Sequence, residues 1–537
     1  MSDEYPRPDF VRENVQWQSL DGPWSFLFDD NPVGSSECWH MKGLPNEVTI
    51  HSAKTDGSEE PGGPDIVAKM AAGTQELLQN NRFPESEIQV PYVFQCRASG
   101  INEKGVHQVL WYEREIEDLR CREDKLSGHR VIIRFGAVDY EAKVREGKQY
   151  WKAQPESIFY TPSGGIWQSV WLESVPKTRI GDASTGTVLR SNDIEDGKLV
   201  GTVQGLGRPC GQAFSIDLEV SLGVITVSRT EKKELPHDLD IVDISTSMRL
   251  SSDQQEKAVQ SAHGHVSDEA CWNSGVALWS PEHPTLYDIT IRLYDDASSS
   301  TLIDTVHTTT GMRSLSWSHG DGTFRLNKQP SFQALILDQG YWPDTCMTQP
   351  SSWALRTDIQ RSKTMAFNGS VMRDINSPQP LGLDPHQREL GLPLLLPYSL
   401  PQRTHIRALY YPTKTMRSHQ ARKIDNCAWK HVKTDLSTFH DYRVWGHQYR
   451  GVDGQQRDWG YTTATDAHNL LSRMETMMMG IVSMEVIFAA LSRYTQLTDM
   501  EQEVDGLYTP DRKEKLDSTQ VRKIIERAKQ KYAAMRL

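Results

Sequence analysis

Hydrophobic and polar residues alternate along much of the first 317 residues of the chain. In "DITIRLYDD", Ile289, Ile291 and Leu293 fall on one side, with polar residues between them. A period of two is typical of a β-strand with one buried face. "HRVIIRFGAVDYEAKV" (129–144) and "IWQSVWLESV" (166–175) are also strand-like, whereas the polar stretches 40–86 and 251–268 are predicted to separate strands as surface segments. The pattern predicts two β-sandwiches in series, over 1–180 and 181–317.

The pattern changes after about residue 320. "FQALILDQGYWPD" is an apolar run that ends in a polar, aromatic loop, and "PSSWALRTDIQRSKTMAFNG" follows with helical spacing and Ser351 or Ser352 as the N-cap. Strand, loop, helix and second strand form a βαβ unit, which predicts a parallel sheet or barrel within 318–537. Residues 466–479 and the last 25 residues predict helices, and "MEVIFAALSRYTQL" predicts a strand. The proline-rich segment 369–421 has no sustained period and is predicted to be disordered.

Composition excludes several classes of protein. The 537 residues include 59 Lys and Arg against 71 Asp and Glu, a net charge of −12 that argues against nucleic-acid binding. The chain has no apolar run long enough for a membrane span and no signal-like start. Its seven cysteines are scattered singly, which predicts reduced thiols in a cytoplasmic protein. No metal-binding, P-loop or dinucleotide motif occurs, so we expect neither a metal nor a cofactor.

Several segments, in order, resemble glycoside hydrolase family 2, the β-galactosidase and β-glucuronidase group. They include "YPRPDFVRENVQWQSLDGPWSFLFDD", "WYEREIE", "FYTPSGGIWQSVWLE", "LWSPEHPTLYDITIRLYD", "FQALILDQGYWPD", "HDY" and "YTQLTDMEQEVDGL". The resemblance implies a multidomain β and α/β protein: a jelly-roll-like β-sandwich over 1–180, shortened near residue 145, an immunoglobulin-like β-sandwich over 181–317, and an incomplete TIM (β/α)8 barrel over 318–537. It implies hydrolysis of O-glycosyl bonds in carbohydrate metabolism, with a β-glycoside as ligand. The mechanism of such enzymes is retaining: one Glu protonates the leaving oxygen and another attacks the anomeric carbon.

The two catalytic glutamates of that family have no counterparts in this chain. The family's acid/base Glu follows an Asn in the barrel, but Asn-Glu occurs here only at Asn46-Glu47 and Asn102-Glu103, in the first sandwich region. No Ser-Glu-Phe-Gly motif is present, and Glu389 is the only glutamate between residues 369 and 474. We therefore expect the chain as written to be inactive, either as the product of wrongly joined exons or as a degenerate relative. The alternative is a noncatalytic sugar-binding or interaction protein built on the β-sandwich domains.

Candidate site residues follow the predicted barrel strands. Tyr442, in "HDY", resembles the family's tyrosine that positions the nucleophile. Carboxylates and amides bind sugar hydroxyls, and aromatic rings pack on sugar faces. The candidate sugar contacts are Asp338, Gln339, Tyr341, Trp342, Asp425, Asn426, Trp429, His440, Asp441 and Asp499. Trp342 and Trp429 could equally be packing residues, and Glu501 and Glu503 could be either replacement catalysts or solvated acids.

Overall fold

The computed structural model describes most of the chain, with gaps. The described residues are 6, 9–30, 32–49, 82–84, 86–104, 107, 109–139, 160–161, 163–236, 239–261, 266, 271–297, 300–316, 323–372, 424–426, 436–438, 464–483 and 491–536. They form a multidomain protein that consists mainly of β-sheet and has few helices. None of the helices within these ranges is long and apolar enough to cross a membrane.

The part of the chain up to Val175 consists of short antiparallel strands. The strands are β1 Val11–Arg12, β2 Trp17–Ser19, β3 Gly22–Phe28, β4 Glu47–Thr49, β5 Arg82–Pro84, β6 Ser86–Val90, β7 Leu110–Glu113, β8 Arg130–Phe135, β9 Val138–Asp139, β10 Gly165–Ile166 and β11 Val170–Val175, with helices α1 Trp39–Lys42 and α2 Arg122–Leu126 and a 3-10 turn Arg97–Ser99. Sheets β6-β3-β7 and β2-β11-β8 share one apolar core, to which Trp24, Ile88 and Leu172 contribute. The predicted loop 40–86 contains the paired strands β4 and β5 near its ends, and residues 51–80 lie outside the described ranges.

Within the described part of the chain, strand β8 forms an unpaired edge of this core. Phe135 and Ile133 lie opposite Val170 and Leu172, and therefore face the same side of the sheet. Val170 and Leu172 are fully buried, whereas Ile133 and Phe135 are 44% and 45% exposed. Among the described residues, no strand pairs with the outer edge of β8. The open edge lies shortly before the position where the family resemblance implies a shortened sandwich.

The second part of the chain contains two larger antiparallel sheets. Its elements are β12 Arg179–Ile180, β13 Val188–Asp193, β14 Lys198–Leu206, β15 Phe214–Leu222, β16 Ile225–Arg229, β17 Lys233–Glu234, β18 Ile241–Ser247, helix α3 Ser252–Ser261, β19 Trp272–Asn273, β20 Val276–Ala277, β21 Tyr287–Asp295, β22 Thr301–Thr310 and β23 Leu315–Ser316. One sheet has the order β1-β22-β21-β15-β16, with β17 beside β15, and the other has β12-β14-β13, with β18 beside β14. Strand β21 confirms the predicted alternation, because Ile289, Ile291 and Leu293 are all fully buried.

Helix α3 lies in the polar segment that was expected only to separate strands. The Ser251 hydroxyl accepts a hydrogen bond from the Gln254 backbone N–H at 3.3 Å, and the Gln254 side chain accepts one from the Ser251 N–H at 2.8 Å. This reciprocal capping box satisfies two of the N–H groups that a helix start leaves unpaired. Ala258 is the buried residue that fixes the helix to the second core.

The third part of the chain forms a parallel sheet with helices packed against it. Its elements are β24 Arg325–Leu326, β25 Gln329–Pro330, β26 Gln333–Asp338, helix α4 Ser352–Thr364, β27 Gly369–Met372, β28 Ile424–Asn426, β29 Leu436–Thr438, helix α5 Ala467–Val482, β30 Leu491–Thr495 and helix α6 Ser518–Arg536. Strand β26 pairs in parallel with both β27 and β30, so the predicted βαβ unit is confirmed. Helix α4 begins after Ser351, whose side chain accepts a hydrogen bond from Ala354 N at 3.1 Å. Most of the proline-rich segment 369–421 lies outside the described residues.

Candidate functional site

The carboxyl ends of β26 and β30 place two polar loops side by side. The strands run in parallel register, and Leu497 N donates a hydrogen bond to Leu337 O at 2.9 Å just beyond that pairing. Gln339 follows β26 and Gln496 follows β30, and both side chains are buried. Among the described residues, neither side-chain oxygen, Oε1, has a hydrogen-bond partner. Since loops at this end of parallel strands commonly bind ligands, the two amides mark a candidate binding site.

A segment from the first part of the chain forms one wall of this site. The Tyr160 hydroxyl donates a hydrogen bond to the Glu503 carboxylate and accepts one from Gln339 Nε2 at 3.3 Å. The backbone N–H of Thr161 lies 3.2 and 2.9 Å from the two carboxylate oxygens of Glu501. Burial raises the pKa of Glu501, although its hydrogen bonds with Thr161 oppose the rise. Residues from the first part of the chain thus contribute directly to the site at the end of the parallel strands.

Asp338, the last residue of β26, is a buried carboxyl group in the same place. Burial raises its pKa to about 6, with a further contribution from the negative charge of Asp358. Asp358 is itself held by Arg361 at 3.0 Å and by Arg512 at 3.1 Å. Asp338 accepts a hydrogen bond from Gly340 N at 2.9 Å. A carboxyl group with this pKa can donate or accept a proton near neutral pH.

Replacing Asp338 with Asn should stabilise the protein at neutral pH and give little benefit in acid. An unfolded Asp has a pKa of about 3.9, whereas Asp338 in the folded protein has a pKa of about 6. Between these values the folded state keeps a proton that the unfolded state has lost, so stability falls as pH rises. At pH values above the folded pKa, the ionisation of buried Asp338 lowers the free energy of unfolding by roughly 2–3 kcal/mol. Asn has no charge to bury, so the variant avoids this loss. Urea unfolding of both proteins near pH 7 and near pH 4 measures this, and a difference independent of pH would contradict it.

The predicted residues Trp342 and Asp499 contact protein groups. Trp342 is buried, and the Arg512 guanidinium lies 5.1 Å from the centroid of its ring; the sugar contact predicted for Trp342 stays a prediction. Asp499 binds Lys515 Nζ at 2.6 Å and Gly506 N at 2.8 Å. A Cβ at position 506 would overlap the Asp499 backbone, so glycine allows this close turn. Both predicted residues therefore shape the loops of the site.

The other predicted residues divide into two groups. Tyr341 lies beside the wall, and its hydroxyl donates to Thr161 O at 3.3 Å. Asp425 and Asn426 lie in β28, which pairs in parallel with β29. Outside the described residues lie Trp429, His440, Asp441 and Tyr442. The sugar contacts predicted for these positions, and the positioning role of Tyr442, stay predictions.

Sequence reasoning missed the contributions of Tyr160 and Thr161. Both lie in "FYTPSGG", which indicated only a turn and a family motif. Tyr160 and Glu503 are 343 residues apart in sequence, and no local pattern indicates such a pairing. Gln496 was also not assigned to the site, because it lies inside the predicted strand "MEVIFAALSRYTQL", whereas β30 ends at Thr495. Its Nε2 donates to Asp505 Oδ1 at 2.8 Å.

Comparisons with known proteins confirm the resemblance to glycoside hydrolase family 2. The model of glycosyl hydrolases family 2 matches residues 216–313. A β-galactosidase of Leuconostoc mesenteroides is 22% identical over 356 residues, which are 58% of this chain and 29% of that protein. The chain thus matches less than a third of the length of this curated relative.

Solved structures agree with the fold. A β-glucuronidase of Ruminococcus gnavus superposes with a TM-score of 0.62 at 12% identity, covering 96% of this chain and 98% of that chain. β-Glucuronidase 2 of Bacteroides uniformis gives a TM-score of 0.58 at 13% identity, covering 93% of this chain and 68% of that chain. At these identities the likeness shows a shared fold.

Proposed function

We propose that this chain, with its confirmed resemblance to glycoside hydrolase family 2, is a glycosidase-type protein of carbohydrate metabolism that binds β-glycosides at the carboxyl ends of β26 and β30. The observation that carries the proposal is the pair of buried amide oxygens on Gln339 and Gln496, which lie without partners among the described residues beside a cluster of carboxyl groups. A buried polar atom without a partner is costly, and a sugar hydroxyl can supply the missing donor.

We assign the domains as the family resemblance implies. The first 180 residues form a jelly-roll-like sandwich, residues 181–317 an immunoglobulin-like sandwich, and residues 318–537 an incomplete (β/α)8 barrel. Three parallel strands joined through a βαβ unit support the barrel assignment, and the two paired sheets around one core support the second sandwich. We place the protein in the cytoplasm, on the absence of paired cysteine spacing in the sequence.

The reaction that suits this family is retaining hydrolysis of O-glycosyl bonds, which needs two carboxyl groups about 5–5.5 Å apart. The sequence supplies neither Asn-Glu nor Ser-Glu-Phe-Gly in its last 220 residues. We therefore propose that the chain in this form binds the glycoside without cleaving it.

The carboxyl groups at the site favour a neutral sugar. Asp338 ends β26, and Glu501, Glu503 and Asp505 lie on the loop after β30. The neighbouring Arg512 is already engaged by Asp358. Carboxylates accept hydrogen bonds from sugar hydroxyls, but they repel a uronate. A solved neighbour from Ruminococcus gnavus contains D-glucuronic acid. The comparison of galactose with glucuronate is therefore decisive for the sugar class.

Thermal unfolding with added sugar tests the proposal. Methyl β-D-galactoside should raise the melting temperature more than methyl β-D-glucuronide, because the site carboxylates repel a uronate. A ligand at about 100 times its dissociation constant stabilises a protein by ~2.7 kcal/mol, which sets the size of the expected shift. Gln339→Leu and Tyr160→Phe each remove one polar group of the site, and each should weaken binding about tenfold, or ~1.4 kcal/mol. Asp118→Asn changes an exposed ion pair with Arg120 and serves as the matched control. The absence of any sugar-dependent shift, or equal shifts in all variants, would contradict the proposed site.

A further inference from the structure

Two cysteines from distant parts of the chain meet beneath the candidate site. Cys96 follows β6 in the first sandwich, and Cys346 lies in the loop after β26. Both are free thiols, with exposed fractions of 1% and 4%. They pack in one apolar cluster with Trp167 and Met347. Each thiol shifts the pKa of the other, and both lie in this one buried cluster, so the two side chains are neighbours.

The backbone holds the two cysteine loops against each other. Ala98 N donates a hydrogen bond to Asp344 O at 3.0 Å. The Thr348 hydroxyl, on the other side of Cys346, is bonded to Trp167 O at 2.7 Å. The Cys346 loop is closed by reciprocal backbone hydrogen bonds with Trp342, at 2.8 and 2.9 Å. These contacts hold the two loops side by side, so a disulfide between the thiols needs no large movement of either loop.

The two thiols differ in acidity. The pKa of Cys96 is lowered, mainly by its interaction with the Cys346 thiol; burial opposes this shift, and the N–H groups of Ser99 and Ala98 and the charge of Lys104 add to it. The pKa of Cys346 is raised by its bond to Cys96 and by burial. The Lys104 ammonium is bonded to the carbonyl of Gln95, the neighbour of Cys96 in sequence, and its positive charge favours a thiolate on Cys96. Because the thiolate is the nucleophilic form of cysteine, attack is assigned to Cys96 and resolution to Cys346.

We propose that Cys96 and Cys346 form a peroxide-reactive dithiol, which closes to a disulfide between the first sandwich and the βαβ unit. The Cys96 thiolate attacks one oxygen of hydrogen peroxide, the O–O bond breaks, and the departing hydroxide takes up the thiol's proton to become water. The sulfur of Cys346 then attacks the sulfenic sulfur of Cys96, the S–O bond breaks, and the hydroxyl leaves as water with the Cys346 proton. Two thiols and one peroxide thus give one disulfide and two waters, with sulfur oxidised and peroxide reduced.

The disulfide would change the surroundings of the candidate site. The Tyr341 hydroxyl contacts the Cys346 thiol and also donates to Thr161 O, on the site wall. Oxidation removes the Cys346 thiol proton, so the Tyr341 hydroxyl loses its contact with a thiol. The new disulfide also fixes the position of the Cys346 loop. The dithiol chemistry does not depend on the proposed sugar binding, and its test reads the cysteines directly.

Peptide mass spectrometry of the full chain tests the dithiol. After treatment with hydrogen peroxide and digestion without reductant, we expect one linked peptide pair containing residues 96 and 346, lighter by two hydrogens and separated by dithiothreitol. Recovery of both cysteines as free thiols after unfolding would overturn the proposal. So would a linkage of either cysteine to the exposed Cys210 in place of this pair.

Single variants test the assigned roles. Cys346→Ser should leave a sulfenic acid on Cys96 that dimedone traps, whereas Cys96→Ser should leave Cys346 unlabelled. Cys271→Ser replaces another buried cysteine, outside this cluster, and should leave the linked pair unchanged. Dimedone labelling of Cys346 in Cys96→Ser at the rate seen for Cys96 would overturn the assignment of the attacking thiol. The measurement on the unmodified chain decides the linkage even if a variant fails to fold.

Discussion

The purified chain should release p-nitrophenol from p-nitrophenyl β-D-galactoside or β-D-glucuronide no faster than buffer does. Enzymes accelerate their reactions by about a million-fold or more, and a retaining glycosidase draws that rate from a proton donor and a nucleophile held about 5–5.5 Å apart. Neither glutamate motif is present in this sequence. The expected loss relative to an intact relative is therefore the whole enzymatic acceleration. Absorbance recorded over many hours and across acid to neutral pH measures it.

Glu501 and Glu503 are the carboxylates that could contradict this expectation. Both approach the wall of the site, through Thr161 and Tyr160 respectively. Release above the blank that disappears in Glu501→Gln or Glu503→Gln, and persists in the surface control Asp118→Asn, would show that one of them serves as a catalyst. Release that is equal in all these variants would instead come from a contaminating host glycosidase, which a mock purification identifies.

Local signals in the sequence predict local elements well. The Ser351 cap and the spacing of Leu355 and Ile359 lead to helix α4, since both depend on residues within one or two helical turns. The alternation around Ile291 leads to β21 for the same reason. Helix α3 was not predicted, because most of its residues are polar and Ala258 alone is buried among its described side chains, so the segment has no apolar stripe.

The candidate site depends on contacts that no local pattern encodes. The family resemblance and the end of a predicted strand indicated Asp338, Gln339 and Tyr341, but not what surrounds them. Arg512, which covers Trp342 and holds Asp358, comes from a loop 154 residues beyond Asp358. A tryptophan after a parallel strand looks the same in sequence whether a sugar or an arginine covers its ring.

The same kind of long-range contact joins strand β1 to the sheet that contains β22, in the second part of the chain. Strand β1 pairs with β22, and there the Arg12 guanidinium forms an ion pair with the Asp304 carboxylate. Their side chains are 3% and 1% exposed. Arg12 Nη2 donates to Ile180 O at 3.0 Å, and Asp304 accepts from Ile180 N at 2.7 Å. One buried charge pair thus connects β1, β12 and β22.

Replacing Asp304 with Asn should lower the free energy of unfolding by about 3–5 kcal/mol, because it leaves the Arg12 guanidinium buried without its counter-charge. Urea unfolding followed by circular dichroism measures the change. Asp196→Asn is the matched control: its pair with Lys198 spans 3.3 Å but is 66% and 52% exposed, so its effect should stay below about 1 kcal/mol. The double variant Arg12→Met, Asp304→Leu removes both charges and should cost less than Asp304→Asn alone. An Asp304→Asn protein as stable as the Asp196→Asn control would show that water reaches Arg12. It would also show that the Arg12–Asp304 pair does not fix β1 to β22.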